Sequence, residues 1–350
     1  MNSAFRKLSF ASDYMEGAHP SILSRLGEIN FDKNPGYGAD SICESARRKI
    51  LAACGCPKGE VHFVVGGTQA NALVIRSLLK PYQGVIAAES GHINVHEAGA
   101  IEAGGHKVLT LPHSSGKISA EAIERLVWSY WEDETHEHIV MPGMVYISQP
   151  TELGTLYSLD ELTAISQVCR KYELPLYVDG ARLAYGLACP ENDVSLQDLG
   201  TLCDIFYIGG TKCGALFGEA VVIPKRGLIP HFFTLIKQQG ALLAKGWLLG
   251  AQFDVLFDDG LYLRIGKPAI EAAGRIREAL TEQNIPLCFG SPTNQIFFAV
   301  DEKQKTFLRE KVDSSFWEAC GGGHTILRFA TSWATSPEDT DALIQVLQAL

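Results

Sequence analysis

Short apolar runs alternate with helix-spaced segments along the first two thirds of the chain. "VHFVV" (61–65) runs into "GGTQANALVIRSLLK", whose apolar residues recur at helical spacing. "GVIAA" (84–88) leads through a loop to "HEAGAIEAGG". "KVLTL" (107–111) precedes "SAEAIERLVWSYW", with Ser119 as the expected N-cap. "MVYIS" (144–148) precedes "SLDELTAISQVCRKY", where Ser158 and Glu161 have capping-box spacing. "LPLYVD" (174–179), "CDIFYIG" (203–209) and "AVVIP" (220–224) follow. Strand alternating with helix predicts an α/β fold: a mostly parallel, mostly buried sheet flanked by crossover helices. After about residue 235 the pattern changes. Helical stretches at 236–257 and 266–284 come first, then "NQIFFAV" (294–300), a helical "QKTFLREKV" and "TILRFAT" (325–331). A last helix opens with Ser336 as N-cap and Pro337 at its first position. Two strands among helices predict a smaller C-terminal α+β domain. The expected division is 1–235, an N-terminal arm with the large domain, and 236–350.

Composition narrows the functional classes. The chain has 350 residues, 46% of them hydrophobic, ample for a large core. Its net charge of −10 argues against nucleic acid or anionic membrane as partner, since both reward clustered Lys and Arg. Nine cysteines form no Cys-x-x-Cys pair, and Cys54 and Cys56 are too close together for a zinc knuckle. The N-terminal residues lack the apolar stretch of a secretion signal, and no apolar run is long enough to cross a bilayer. A soluble cytoplasmic protein with reduced thiols is expected, with no metal.

In open α/β sheets, ligands bind beyond the carboxyl ends of the strands, so those loops are the place to look for chemistry. After "VHFVV" come Gly66, Gly67 and Thr68 at a helix start, which offers free N–H groups and a positive dipole end to a phosphate. An ordinary tight turn would read the same. Asp179 ends a buried strand and is followed by Arg182, so a structural ion pair is as good a reading there as a functional carboxylate. Lys212 lies in "GGTKCGA" (209–215), a glycine-bracketed loop after another buried strand, with the glycines expected to leave room for a cofactor. A lysine so placed is suited to forming a Schiff base with an aldehyde. Pyridoxal phosphate needs a phosphate site, a carboxylate at its ring nitrogen and such a lysine, and the three candidates occur in that order. His92 and His96 have the spacing of a helical metal pair, but no third ligand is evident. His92 also follows a strand end, where it can stack on a ring. Spacing alone reads His136 and His138 as a surface pair.

These residues resemble the pyridoxal-phosphate-dependent low-specificity L-threonine aldolases of the aspartate-aminotransferase-like, fold type I superfamily. The carriers are "FASD" (10–13), "YGAD" (37–40), "GGTQAN", "GHINVHEAGA", "VDGARL", "GGTKCGA" and "ILRFATSW", over nearly the whole length. The resemblance implies that Gly67 and Thr68 hold the phosphate and that His92 stacks on the ring; from its place in the lysine loop, Thr211 is expected to add a hydrogen bond to the phosphate. The resemblance also implies that Asp179 pairs with the ring nitrogen and that Lys212 carries the cofactor as an internal aldimine. Ser12, Arg182 and Arg328 would hold the substrate carboxylate, with Arg182 also near the cofactor. Lys237 would reach a neighbouring subunit's phosphate in a homodimer or homotetramer. His138 stands at the spacing of a histidine near the substrate hydroxyl and is the expected base.

Two departures mark the substrate side. Relatives commonly carry Glu-Asn-Thr-His where this chain reads "SQPTELG", with the histidine replaced at or near Thr151, and Lys237 stands where many have arginine. The expected reaction is cleavage of Cα–Cβ in L-threonine or L-allo-threonine to glycine and an aldehyde. Alternatives are β-elimination, or aldol cleavage of another β-hydroxy amino acid such as phenylserine. A non-catalytic nucleotide-binding protein fits less well, because the chain has no Gly-x-Gly-x-x-Gly after its first strand and no Walker lysine in "GGTQAN".

Overall fold

Buried apolar runs in the first two thirds of the chain assemble into one seven-stranded sheet. The computed structural model describes residues 7–350. After the short β1 (Leu8–Ser9), the sheet is built from β2 (Glu60–Val64), β3 (Gln83–Ala88), β4 (Val108–Leu111), β5 (Met141–Ser148), β6 (Leu176–Gly180), β7 (Ile205–Gly209) and β8 (Glu219–Ile223). Their spatial order is β2-β8-β7-β6-β5-β3-β4. β3 to β7 run parallel, while β8 lies antiparallel between β2 and β7. β8 therefore starts at the rim where β2 and β7 end, with Glu219 paired to Val64 and Gly209. β6, β7 and β8 are buried at every position, because helices cover both faces. The expected caps form. Ser158 and Glu161 make a capping box, and the hydroxyls of Ser119 and Ser336 accept from Ala122 N and Asp339 N.

The C-terminal part holds an antiparallel sheet of β9 (Gln295–Val300), β12 (His324–Ala330) and β11 (Ser315–Cys320), with β12 central. β10 (Val312–Asp313) pairs in parallel with β1. β11 is a strand the pattern did not suggest. "SFWEAC" has no clean alternation, and its register shifts between Phe316 and Glu318. The helical stretch expected over 236–257 is two helices, Phe232–Gln238 and Trp247–Leu256, separated at Gly240, whose φ is +68°.

The domain division also moves. Leu249, Phe253, Leu256, Tyr262 and Ile270 join the core beneath the large sheet. Ala273, Ile276 and Leu280 pack instead with Phe298 and Phe329 under the small sheet. Both sets come from or lead into one helix, Lys267–Glu282, so the cores divide within it rather than at residue 235. Phe10 joins the small core, and its carbonyl accepts from Ala330 N at 2.8 Å. The N-terminal arm thus packs on the C-terminal unit, and this brings Ser12 and Asp13 into the crevice between the two.

Candidate active site

The loops at the carboxyl rim of the large sheet, with β11 and β12 opposite, enclose a cavity of about 560 Å³. Lys212, His92, His96, Glu152, Arg182 and Arg328 all line it.

Asp179 lies at the buried end of β6. Its Oδ2 accepts from Asn71 Nδ2 at 3.0 Å and Tyr146 OH at 2.7 Å, and its Oδ1 accepts from Ala181 N at 3.0 Å. Burial opposes the charge. The nearby His92 imidazolium and hydrogen bonds from Tyr207, Tyr146 and Asn71 outweigh it and hold the carboxyl below its ordinary range. Asp179 is therefore a fixed anion. His92 begins the short helix His92–Val95 after β3. Its Nδ1 is 2.7 Å from Glu97 Oε1, and its backbone N–H donates to Glu152 Oε1 at 2.9 Å. Burial works against the charged ring, but Glu97, Asp179 and Glu152 together raise its pKa. Asn71 Nδ2 donates to Glu97 Oε1 as well as to Asp179, which joins the two carboxylates in one network.

Lys212 sits in the turn after β7, and its carbonyl accepts from Tyr185 OH. The glycines of this loop serve chain packing rather than cofactor space. A Cβ on Gly209 would lie 2.3 Å from Ala181 O, and one on Gly210 would lie 2.6 Å from Gly218 O. The loop is held from below by Glu219, which accepts from Gly210 N at 3.0 Å and Thr211 Oγ1 at 2.8 Å. Burial pushes the Glu219 carboxyl up to about 7, against the pull of the Lys212 charge.

Across the cavity, Arg328 on β12 donates to Gln295 Oε1 at 3.0 Å, Ala11 O at 3.1 Å and Ser315 Oγ at 3.2 Å. All three acceptors are neutral, and its buried Nε has no partner among the described residues. Burial and the neighbouring Arg182 charge push the guanidinium down to about 10, so it stays a cation at neutral pH. The hydroxyls of Ser12 and Ser90 are likewise buried without partners among the described residues. A half-buried cation beside unsatisfied polar groups is suited to receive an anion.

Several expected roles meet a different geometry. Arg182 faces the cavity, but its Nε and Nη2 donate to Asp13 at 2.7 and 3.1 Å, so its fork is already filled. The Thr211 hydroxyl gives its proton to Glu219 and accepts from Gly218 N, which leaves no donor for a phosphate. His138 is exposed and precedes β5, at the opposite end of that strand from Ser148, roughly 25 Å away at the usual rise per residue. It cannot reach the cavity of its own chain. Thr151 is buried and bonded to Thr155, whereas its neighbour Glu152 faces the cavity. Lys237 is exposed, with Nζ 4.5 Å from the centroid of the Tyr37 ring, and does not line the cavity.

Asp13, Asn71, Glu97, Glu152, Glu219 and Gln295 were not legible as site residues. Two had a signal: Asn71 lies one turn into the helix after the glycine loop, and Glu97 is five residues past His92. Glu219 had none, because it sits at the start of a strand.

Comparison with known proteins gives the family. The family model for "Beta-eliminating lyase" matches residues 9–321. The chain belongs to the beta-eliminating lyase family. It is similar to a low-specificity L-threonine aldolase of Pseudomonas sp. (strain NCIMB 10558), 32% identical over 336 residues, 93% of each chain. The Pseudomonas aeruginosa protein of the same name is 31% identical over 94% of each. The solved threonine aldolase of Leishmania major superposes with a TM-score of 0.94 at 42% identity, covering 98% of this chain and 99% of that one. An aspartate aminotransferase of Thermus thermophilus, at 14% identity and a TM-score of 0.73, shares the fold.

This family and fold imply pyridoxal phosphate. The residues present fit it. The helix Gly67–Leu78 starts at the rim with Gly66 as N-cap, where an added Cβ would meet nothing within 4 Å. Its first-turn N–H groups lack intrahelical partners. Asp179 would supply the buried anion and Lys212 the amine.

Proposed function

We propose that this beta-eliminating lyase family member is an aldehyde-lyase that cleaves the Cα–Cβ bond of L-threonine-type β-hydroxy amino acids to glycine and an aldehyde. The observation that carries the reading is Arg328. It is a half-buried cation with no ion-pair partner among the described residues, facing the same cavity as Lys212 and His92. Such a cation suits an amino acid's carboxylate.

In this reading Lys212 Nζ anchors pyridoxal phosphate, the N–H groups at Gly67 and Thr68 hold its phosphate, and His92 covers a face of its ring. When bound, the cofactor supplies an electron sink for the pair left at the substrate Cα. Asp179, ionised and buried, favours a proton at the pyridine nitrogen. Arg328, with the Ser12 hydroxyl, fixes the carboxylate and so selects which Cα bond is aligned to break. Arg182 sits behind, clamped to Asp13, and adds positive potential. The proposal includes a homodimer in which Lys237 reaches the phosphate site of a second copy, and sedimentation of the purified protein tests that part.

The reaction is tested on a panel of L-threonine, L-allo-threonine, phenylserine and serine. Equimolar aldehyde and glycine is the expected result. Ammonia with a 2-oxo acid would move the enzyme to β-elimination.

A further inference from the structure

Two histidines face the cavity from one short helix, His92–Val95 and its C-cap His96, with ring centroids 5.7 Å apart. Their surroundings differ in sign. His92 is held by Glu97 and faces Asp179 and Glu152. His96 has no carboxylate partner among the described residues, and its ring centroid lies 6.0 Å from that of Trp317 on β11. The charges around it are the His92, Arg182 and Arg328 cations, with Glu152 and Lys212 elsewhere in the cavity wall. Burial, and then those three cations, lower its pKa, so at neutral pH its ring keeps a free lone pair. Paired groups whose environments push them apart in charge divide acid and base roles.

We propose that His96 is the base that takes the proton of the substrate's β-hydroxyl; the assignment rests on the aldehyde-lyase reading. The other candidates are engaged or distant. His92 Nδ1 is taken up by Glu97, and the carboxylates around it raise its pKa, which weakens it as an acceptor of the hydroxyl proton. Glu152 is buried, and its Oε1 already accepts from Ser148 Oγ at 2.6 Å and from His92 N. His138 lies at the far end of β5. In the step, the imidazole lone pair takes the hydroxyl proton. The O–H pair becomes the second C–O bond of the aldehyde, and the Cα–Cβ pair stays at Cα. A proton from solvent then closes the Cα–H bond of glycine, and the imidazolium returns its proton to solvent. No net proton or electron is gained.

The test compares two reactions of the enzyme loaded with pyridoxal phosphate. Aldehyde release from L-threonine or L-allo-threonine needs the base. Exchange of the glycine α-proton in D₂O, read by NMR, involves no β-hydroxyl. His96→Gln is expected to lower kcat for aldehyde release by about 10²- to 10⁴-fold. It should leave glycine exchange and the glycine dissociation constant within about twofold of wild type, and it should remove the acid limb of kcat/KM. In His96→Ala, added imidazole should restore release. Equal losses in both reactions, or a loss of release below about fivefold, would overturn the assignment. If His96→Gln fails to fold, His96→Asn takes the same comparison with circular dichroism as the fold check. A wild-type protein that exchanges glycine but releases no aldehyde from any β-hydroxy amino acid removes the lyase reading itself, and this assignment with it.

Discussion

Glu97 Oε1 lies 2.7 Å from His92 Nδ1, so a fully buried carboxylate grips an imidazole whose own side chain is 36% exposed to the cavity. Because the folded pKa of His92 is raised, its contribution to stability is present in full below about pH 6.5 and is lost as pH rises through the folded value. Glu97→Gln should return the His92 titration toward the ordinary histidine value, measured by NMR. It should also flatten that part of the stability–pH curve. Glu97→Ala leaves an Asn71 N–H without its acceptor and should cost about 1–3 kcal/mol in denaturant unfolding.

Arg328 predicts a loss of activity without a matching loss of stability. The residue is desolvated without an acidic partner among the described residues, and its loss leaves buried Gln295 Oε1 without a donor; the two effects offset, so Arg328→Met should unfold at a denaturant concentration near that of wild type. Its kcat/KM should fall by the loss of a charge-assisted carboxylate contact, about 1.5–3 kcal/mol, or roughly ten- to a hundredfold. A variant both stable and fully active would remove Arg328 from the substrate site.

Lys212 supplies the only amine proposed to bond the cofactor. Lys212→Ala should fold, keep the Glu219 contacts to Gly210 N and Thr211, and lose both the visible absorbance of bound pyridoxal phosphate and turnover. Near-wild-type activity in that variant contradicts the reading.

Glu219 carries a pH signature of its own. Its carboxyl rises from 4.5 to about 7 on burial, so the folded state holds a proton that the unfolded state has released. Stability then falls as pH rises between those values, by roughly 3 kcal/mol. In Glu219→Gln this slope should vanish, whatever constant offset the new amide introduces. Urea unfolding of both proteins at pH 5 and pH 7.5 measures it, and parallel curves would refute it.

Gly67 should be intolerant of a side chain for a specific reason. A Cβ there would stand 2.9 Å from the Tyr207 hydroxyl, which is buried and bonded to Asp179. Gly67→Ala is expected to weaken retention of pyridoxal phosphate on dialysis. Adding Tyr207→Phe should relieve part of the loss by removing the oxygen that the methyl meets.

β6 and β7, which bring Asp179 and Lys212 to the rim, were readable because each is a near-continuous apolar run closed by small residues. A buried parallel strand must be apolar along its length, and its ligand-facing end must be free of bulk. β11 was missed because an edge strand facing a cavity on one side and solvent on the other has no single burial pattern to display. The division at residue 235 failed for a related reason. Apolar periodicity says that a helix has a buried face, not which of two cores the face enters, and the helix Lys267–Glu282 enters both.

The chain's local pattern was enough to determine the α/β architecture, the capped helices and the order of glycine loop, carboxylate and lysine. These depend on neighbours in sequence, or on the rule that strand ends share a rim. Partnerships were decided only by the tertiary structure. Asp13, carried in by the N-terminal arm, fills the Arg182 fork, while Arg328 has no ion-pair partner among the described residues. Glu219 reaches the lysine loop because β8 runs antiparallel. His138 ends up at the opposite end of the sheet from the cavity, while His96 faces it. Charge, pKa and access are set by what lies within a few ångströms, and those neighbours come from segments far apart in the chain.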